Sequence, residues 1–311
     1  MISMAKIDSK WKNIVPNANQ PVARRVDAEH PLDFFIGYDQ DGRMQLSLHA
    51  RKLPDLPKSV QQVSVTAYQR KDGKYAICLT LENDQFREYF VSLCWDIIFN
   101  TYNVTNNSNG IETAVRRFGM WLIFLADHAS KKMSDASIKG LIGELLVMKD
   151  ICIPVYGVEH AINGWVGPLF ADRDFEYEDN WFEVKTLSAE KDSVIISSFD
   201  QLDTPQSGTL VICRMDRTNA DNANAVSLNK AIDNIVELIQ DEDVASMFRV
   251  RLNLTGYDAE DSRADDLFSM IGFEKYLVVE GFPRIQKSTL PSAITKGKYT
   301  IDISEIQPWR Q

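Results

Sequence analysis

The sequence predicts a mixed α/β protein of two domains, the first of them rich in β-strands. Its 311 residues are too many for one average domain and are enough for two. Within the first hundred residues the hydrophobic pattern changes from strand-like alternation to helical spacing. The polar stretch Thr101 to Gly110 then interrupts the regular pattern, so we place the domain boundary there, with residues 1–108 before it and 109–311 after it.

A hairpin and a helix define the first domain. Apolar and polar residues alternate from Gln62 to Ala67, the segment Lys71 to Lys74 is typical of a turn, and Tyr75 to Leu81 returns as a second strand. From Phe86 onwards, apolar residues fall at helical spacing after Asp84, which is a candidate N-cap. We therefore expect a small sheet covered by a helix.

The second domain alternates between helical and strand patterns. Helices are expected at Ile111 to Lys131, from Ser134 or Asp135 to about Cys152, at Leu228 to Ile239 and at Val244 to Val250. Strands are expected at Arg173 to Tyr177, Trp181 to Leu187, Val194 to Ser197, Tyr276 to Ile285 and Tyr299 to Ile303. The elements from Leu228 onwards are expected to extend or cap this domain.

The helix that ends near Cys152 has two unusual features. Gly140 and Gly143 lie in its interior, where each costs about 1 kcal/mol relative to alanine, so we expect another backbone to approach closely there. Glu144 has apolar neighbours at helical spacing. Its carboxylate either points to the buried side, where it needs a partner, or lies at the edge of the apolar stripe and reaches water.

The strands on either side of residues 178–180 predict a hairpin that gathers charged side chains. With a two-residue turn at 179–180, Asp174 lies opposite Lys185 and Glu176 lies opposite Glu183. Because side chains alternate along a strand, all four then project from one face. A slip of one residue would separate Asp174 from Glu183, so the site depends on this register.

Two carboxylates held side by side repel each other unless they share a cation. Magnesium prefers oxygen ligands and is typically held by one or two carboxylates together with a substrate phosphate, which Asp174 and Glu183 match. Lys185 would position the attacking water and stabilise charge on phosphorus, and Glu144 would add a direct or water-mediated contact. For the strands alone, a solvated sheet face is the more common meaning of this pattern.

An ordered set of motifs resembles the PD-(D/E)XK nuclease superfamily. The set comprises Gly140 to Glu144 on a helix, Asp174-Phe175, Glu183 to Thr186, and Ile195 to Leu202. It is similar, more narrowly, to an uncharacterised bacterial family of PD-(D/E)XK proteins, often encoded beside helicase and methylase genes in restriction or phage-defence clusters. The segments Phe282 to Ile285 and Tyr299 to Ser304 also look like that family. The proline that names the motif is absent, and Arg173 stands in its place.

The resemblance implies a restriction-endonuclease-like core in which a central mixed sheet is flanked by helices. It implies an active-site set of Glu144, Asp174, Glu183 and Lys185, in which the three carboxylates hold Mg²⁺, with Mn²⁺ able to replace it. Gln201 is a further candidate, because several members of the superfamily place a polar residue near the metal at this point. An ordinary glutamine at the start of a helix is an equally good interpretation.

The function implied by the resemblance is that of a magnesium-dependent endonuclease, a hydrolase that cuts DNA in a restriction-like or phage-defence system. Helicase, methylase or other defence proteins would be its partners, and whether two copies pair stays open. The rival hypothesis is a binding or scaffolding subunit that keeps a nuclease-like fold without catalysis. The net charge of −10 favours this rival modestly, because nonspecific nucleic-acid affinity comes from lysine and arginine.

Basic residues do cluster near the end of the chain, where no acid lies between Glu280 and Asp302. These are Arg284, Lys287, Lys296 and Lys298. A solvated loop is the ordinary interpretation of such a cluster, and a local phosphate-binding surface is the alternative.

The sequence also excludes several classes of protein. No stretch approaches the roughly 20 apolar residues of a membrane span, and no hydrophobic signal region begins the chain, so we expect a cytoplasmic protein with no membrane partner. The four cysteines are scattered and the histidines are isolated, which argues against a zinc site, a disulfide framework or a catalytic triad.

Overall fold

Each of two units of the chain is built on its own five-stranded sheet. The computed structural model describes residues 4–17, 20–104, 106–127, 132–169 and 171–311. The first unit comprises Met1–Lys131 and Asp241–Gly256, and the second comprises Lys132–Gln240 and Tyr257–Gln311. Within the described ranges, no helix is both long enough and apolar enough to cross a membrane. The mixed α/β fold predicted from the sequence is confirmed.

The sheet of the first unit is entirely antiparallel. Its strands are β1 (Val22–Arg25), β2 (Asp33–Tyr38), β3 (Met44–Ala50), β4 (Val63–Gln69) and β5 (Tyr75–Leu81), in the order β1-β2-β3-β5-β4. Its helices are α1 (Met4–Lys12), α2 (Arg87–Asn100), α3 (Asn107–Asp127) and α8 (Glu242–Thr255). The predicted hairpin is present as β4 and β5, and Gly73 turns it with a φ of 80°.

The start of α2 differs from the prediction. A short 3-10 turn, Asp84–Phe86, precedes the helix, and the side chain of Asn83 accepts a hydrogen bond from the backbone N–H of Gln85 at 3.0 Å. Asn83 rather than Asp84 therefore caps this region. Its side-chain Oδ1 atom accepts a backbone N–H that has no partner within the first turn.

The predicted domain boundary between residues 108 and 109 falls inside α3. The contacts instead divide the chain after Lys131 and assign residues 241–256 to the first unit. The asparagine-rich stretch that suggested a linker in fact starts the helix, because the side chain of Asn106 accepts a hydrogen bond from the backbone N–H of Ser108 at 2.9 Å. Residues 128–131 of the predicted helix lie outside the described residues.

The sheet of the second unit is mixed. The helices and first strands are α4 (Asp135–Val147), α5 (Ile153–Tyr156), α6 (Val158–Gly164), β6 (Phe175–Glu176), β7 (Trp181–Leu187) and β8 (Ser193–Ile196). They are followed by β9 (Gly208–Arg217), β10 (Ala225–Val226), α7 (Leu228–Val236), β11 (Phe268–Val278) and β12 (Tyr299–Asp302). The order is β10-β11-β9-β7-β6, with β7 parallel to β9 and the other neighbours antiparallel.

The strand β11 ends earlier than expected. A strand was predicted to continue to Ile285, but the chain leaves the sheet after Val278. Gly281 turns there with a φ of 84°, and Pro283 has no N–H to give to a neighbouring strand. The segment that follows is therefore free to cover another part of the unit.

Beyond the main sheet, β8 and β12 pair as a separate antiparallel ribbon. Side chains of this ribbon, of β7, β9 and β11, and of the C-terminal 3-10 turn Ser304–Trp309 form one buried cluster. Trp181 and Leu187 of β7 belong to it. Because side chains alternate along a strand, Glu183 and Lys185 project from the same face as these two apolar residues.

The opposite face of β7 meets α4 at Gly143. A Cβ atom added to Gly143 would lie 2.0 Å from Oγ1 of Thr186, so a side chain does not fit between helix and strand. The close approach predicted here is confirmed, although a side chain rather than a backbone makes it. The same prediction was wrong for Gly140, since no atom of the described residues lies within 4 Å of a Cβ added there.

These two glycines provide a matched pair of substitutions. Gly143→Ala should lower the free energy of unfolding by about 1–3 kcal/mol, because α4 must move away from Thr186. Gly140→Ala should raise it by up to about 1 kcal/mol, because alanine is the better helix former and the space is open. Urea unfolding followed by circular dichroism measures both, and changes of the same sign would contradict the packing described for α4.

Candidate active site

The hairpin of β6 and β7 positions the acidic residues. Phe175 pairs with Phe182 and Glu176 pairs with Trp181, so the two-residue turn lies at 178–179. This is one residue earlier than predicted, and the predicted register is therefore wrong. The side-chain amide of Gln206 donates to the carbonyl of Glu178 at 2.9 Å, which holds the turn in this position.

The corrected register brings Asp174 level with Glu183 rather than with Lys185. Moving the turn by one residue shifts each cross-strand partner by two, and a shift of two keeps every side chain on its own face. Asp174, Glu183 and Lys185 therefore still share a face.

Backbone groups hold Asp174 firmly. Its Oδ2 atom accepts a hydrogen bond from the backbone N–H of Val184 at 2.7 Å, which ties it to the neighbouring strand. Its carbonyl oxygen accepts the N–H groups of Val166 at 2.8 Å and Gly167 at 3.0 Å. Within the part of the chain that the structure describes, Oδ1 accepts no hydrogen bond, so this oxygen remains available to a ligand.

Glu183 is the least satisfied group of the site. Its side chain is only 1% exposed, and Nζ of Lys185 lies 2.7 Å from its Oε1 atom. Lys185 is therefore its ion-pair partner, while among the described residues nothing donates a hydrogen bond to Oε2. A buried carboxylate oxygen without a donor is costly, so the site favours an additional cation at Glu183.

The carboxylates disfavour one another's charge. Burial raises the pKa of Glu183 to about 8, the negative charge of Asp174 adds to the increase, and Lys185 opposes it. Burial is also the main reason that the pKa of Glu144 lies well above its ordinary value, again with a contribution from Asp174. The pKa of Asp174 is raised by burial as well, against the N–H of Val184 and the charge of Lys185.

Glu144 extends from α4 towards the site, and its carboxylate accepts a hydrogen bond. The indole N–H of Trp165 donates to its Oε2 atom at 2.8 Å, and Trp165 itself is fully buried. Glu144 and Asp174 remain half-buried, so protein atoms surround them on most sides while an opening to solvent persists. The contact agrees with the first interpretation of Glu144, in which its carboxylate points to the buried side and has a partner there.

Gln201 lies beside the lysine. It ends the 3-10 turn Phe199–Gln201, and its Oε1 atom accepts the backbone N–H of Ser197 at 2.7 Å and lies 3.4 Å from Nζ of Lys185. Arg173, which occupies the place of the motif proline, donates to the carbonyl of Gln201 at 3.2 Å and to that of Asp200 at 3.1 Å. Gln201 thus lies with the other candidate residues, and Arg173 holds the turn that carries it.

The candidate residues do not form a finished metal cage. In residues 4–17, 20–104, 106–127, 132–169 and 171–311, no three or more His, Cys, Asp or Glu side chains are grouped so as to hold an ion. Magnesium needs only one or two carboxylates and keeps several waters, so Asp174 and Glu183 fit it. A direct contact from Glu144 stays a prediction.

Sequence reasoning missed two parts of this arrangement. Trp165 lies 21 positions from Glu144, and no spacing rule connects an indole to a carboxylate at that distance. The role of Arg173 was also missed, because the sequence shows it only as the residue in the place of the motif proline. A cationic side chain directly before Asp174 was the available signal, and it is a weak one.

Comparison with known proteins extends this picture to nearly the whole chain. A family model described as "Putative PD-(D/E)XK family member, (DUF4420)" matches residues 7–304. The matched range includes all five candidate residues, and the resemblance drawn from the motifs is confirmed. No curated protein and no solved structure gives a significant match to the chain.

The raised pKa values predict how stability depends on pH without metal. The pKa of Glu183 is 4.5 when ordinary and about 8 in the folded chain, so the folded state holds its proton more tightly. The resulting stabilisation is complete below about pH 4.5 and is lost as pH rises through about 8. Thermal unfolding should be measured in the presence of a chelator at pH values about one unit apart between about pH 5 and 9, and the melting temperature should fall as the pH rises.

Two isosteric substitutions test the source of that fall. Glu183→Gln should make the melting temperature less dependent on pH, because the group that must ionise is gone. Glu178→Gln removes an exposed carboxylate in the same hairpin and should leave the dependence unchanged. Equal pH profiles for the parent and Glu183→Gln would show that Glu183 does not hold its proton as described.

Proposed function

Because the chain belongs to this family of PD-(D/E)XK proteins, we propose that it is a metal-dependent endonuclease that hydrolyses phosphodiester bonds in DNA. The observation that carries the proposal is the carboxylate of Glu183, which is buried beside Asp174 and Lys185 and whose Oε2 atom accepts no hydrogen bond from the described residues. A buried acid of this kind, with perturbed pKa and charged neighbours, is typical of functional sites.

The donor set fits a hard divalent cation such as Mg²⁺, or Mn²⁺ in its place. Glu183 and Asp174 would hold the ion, and Glu144, oriented by Trp165, would contact it directly or through water. When bound, the ion supplies a Lewis acid for the phosphoryl oxygens and a water of lowered pKa.

Lys185 is the residue that acts on the reacting groups. Its ammonium group lies between Oε1 of Glu183, at 2.7 Å, and Oε1 of Gln201, at 3.4 Å, so two acceptors fix its position. From there it orients the attacking water and stabilises the negative charge that develops on the phosphoryl oxygens. Gln201 is a positioning residue, because it acts through Lys185.

We extend the proposal to a cytoplasmic role in a restriction-like or phage-defence system, with helicase, methylase or other defence proteins as partners. This part is supported only by the similarity of the motifs to those of defence-associated proteins. The geometry supports the chemistry, whereas the biological setting rests on the family.

A non-catalytic binding or scaffolding subunit is the second candidate. The net charge of −10 favours it, because a DNA-binding protein usually presents excess positive charge. Such a subunit would have no use for a cation at Asp174 and Glu183. Metal binding therefore separates the two candidates.

Cleavage is the first test of the proposal. Purified protein with Mg²⁺ should nick or cut duplex DNA, and Lys185→Ala should lower the rate by at least about 10²-fold, because a charge that stabilises the transition state is removed. Lys191→Ala, at an exposed position just beyond β7, should cut like the parent. Circular dichroism checks the fold, and equal cleavage by Lys185→Ala and the parent would refute the assigned role.

Manganese binding is the second test. Calorimetric titration should show binding to the parent, and Glu183→Gln should weaken it by more than the roughly 10–100-fold lost when only an outer partner of a metal ligand is changed. Glu178→Gln, which makes the same change of charge at an exposed position of the hairpin, should bind like the parent. No manganese binding by the parent would favour the scaffolding subunit.

A further inference from the structure

Residues 284–298, here called the basic loop, carry basic side chains and no acidic one in a chain whose net charge is −10. The loop follows the early end of β11 and leads into β12. It belongs to the same unit as the candidate active site, so its position relative to that site can be followed through contacts within the unit.

The first part of the basic loop is bound to the residues that follow Gln201. The guanidinium group of Arg284 donates to the carbonyl of Leu202 at 2.9 Å. The backbone N–H of Lys287 donates to Oδ2 of Asp203 at 2.9 Å. This end of the loop is therefore fixed to the segment that begins directly after the active-site turn.

The last part of the loop contacts the same turn at Phe199. A Cβ atom added to Gly297 would lie 2.5 Å from the ring of Phe199, so only glycine allows this approach. Phe199 begins the turn that ends in Gln201, and Tyr299 stacks on its ring with a centroid distance of 6.4 Å. Lys296 and Lys298 flank the point of contact.

An electrostatic interaction also connects the base of the loop with the acidic centre. Burial is the main reason that the pKa of Tyr299 is raised, and the charges of Arg284 and Glu183 act on the same phenol in opposite directions. Phe199, against which Gly297 and Tyr299 lie, begins the turn whose last residue, Gln201, contacts Lys185. The loop is therefore connected to the proposed catalytic residues through this turn.

The charges of the basic loop differ in whether the protein neutralises them. Lys287 forms an ion pair with Asp200 at 2.5 Å. For Arg284, Lys296 and Lys298, by contrast, no acidic side chain in the described part of the chain lies within ion-pair distance. Lys296 and Lys298 are exposed, so their ammonium groups are available to an external anion.

We propose that the basic loop binds the sugar–phosphate backbone of the DNA strand that enters the active site, with Lys296 and Lys298 as its phosphate contacts. The proposal rests on the proposed nuclease function and adds the surface that holds the substrate. Lysine contacts to phosphate supply affinity and alignment without reading the base sequence. Their position explains how an acidic protein can hold a polyanion, because the positive charge is concentrated beside the reaction site.

The test compares two double substitutions in the Lys185→Ala background, which keeps the duplex uncut. Lys296→Ala with Lys298→Ala should weaken binding of a fluorescent duplex by about tenfold for each lysine near 0.1 M salt. The slope of log affinity against log salt should fall by about 2, since each lost phosphate contact removes about 0.9. Lys71→Ala with Lys230→Ala removes the same charge from exposed positions elsewhere and should change neither quantity.

Kinetics with Lys185 intact separate this proposal from the proposed function. The Lys296→Ala and Lys298→Ala pair should raise KM and leave kcat within about twofold, because a contact made equally in ground and transition states affects binding alone. If the parent cuts DNA and this pair keeps its affinity and salt slope, the basic loop does not hold the substrate. If the parent neither binds nor cuts DNA, both proposals are overturned.

Discussion

The constraint on which the candidate site of the second unit depends is the burial of the Glu183 carboxylate within the sheet. The strand β7 lies between β6 and β9, and the apolar cluster on its Glu183 face shields the side chain from water. Burial of a carboxylate costs free energy, and the fold tolerates it only with compensating charge. Lys185 supplies part of that charge, and backbone donors fix Asp174 beside it.

The sequence was sufficient to predict that the candidate residues of β6 and β7 share a face, and it was not sufficient to predict their pairing. Alternation along a strand places Glu183 and Lys185 on one face whatever the register. The position of the turn depends on finer chemistry, because Asp179 is a favoured turn residue and belongs to both candidate pairs, Glu178-Asp179 and Asp179-Asn180. A hydrogen bond from Gln206, which lies in a different segment of the chain, holds the observed one, and no local pattern shows it.

Long-range contacts also explain what was mispredicted in the fold. The helix α8 belongs to the first unit although it follows most of the second in sequence, and periodicity gives the helix but not its partners. The polar stretch before α3 contains the asparagine that caps the helix, and caps and linkers use the same residue types. In the site, order along the chain identified Glu144, whereas its indole donor was visible only in three dimensions.

Arg173 occupies the place of the motif proline, next to Asp174, and every nitrogen of its guanidinium group already has a partner. Nε and Nη2 donate to the carbonyls of Gln201 and Asp200, Nη1 pairs with Glu176 at 2.8 Å, and the group lies 5.1 Å from the ring centre of Trp181. The arginine that precedes Asp174 in sequence therefore has a structural role, because its guanidinium contacts lie within the protein. Under the proposed function, cations other than Arg173 must therefore contact the nucleic acid, so support of the acidic residues and contact with the substrate fall to separate side chains.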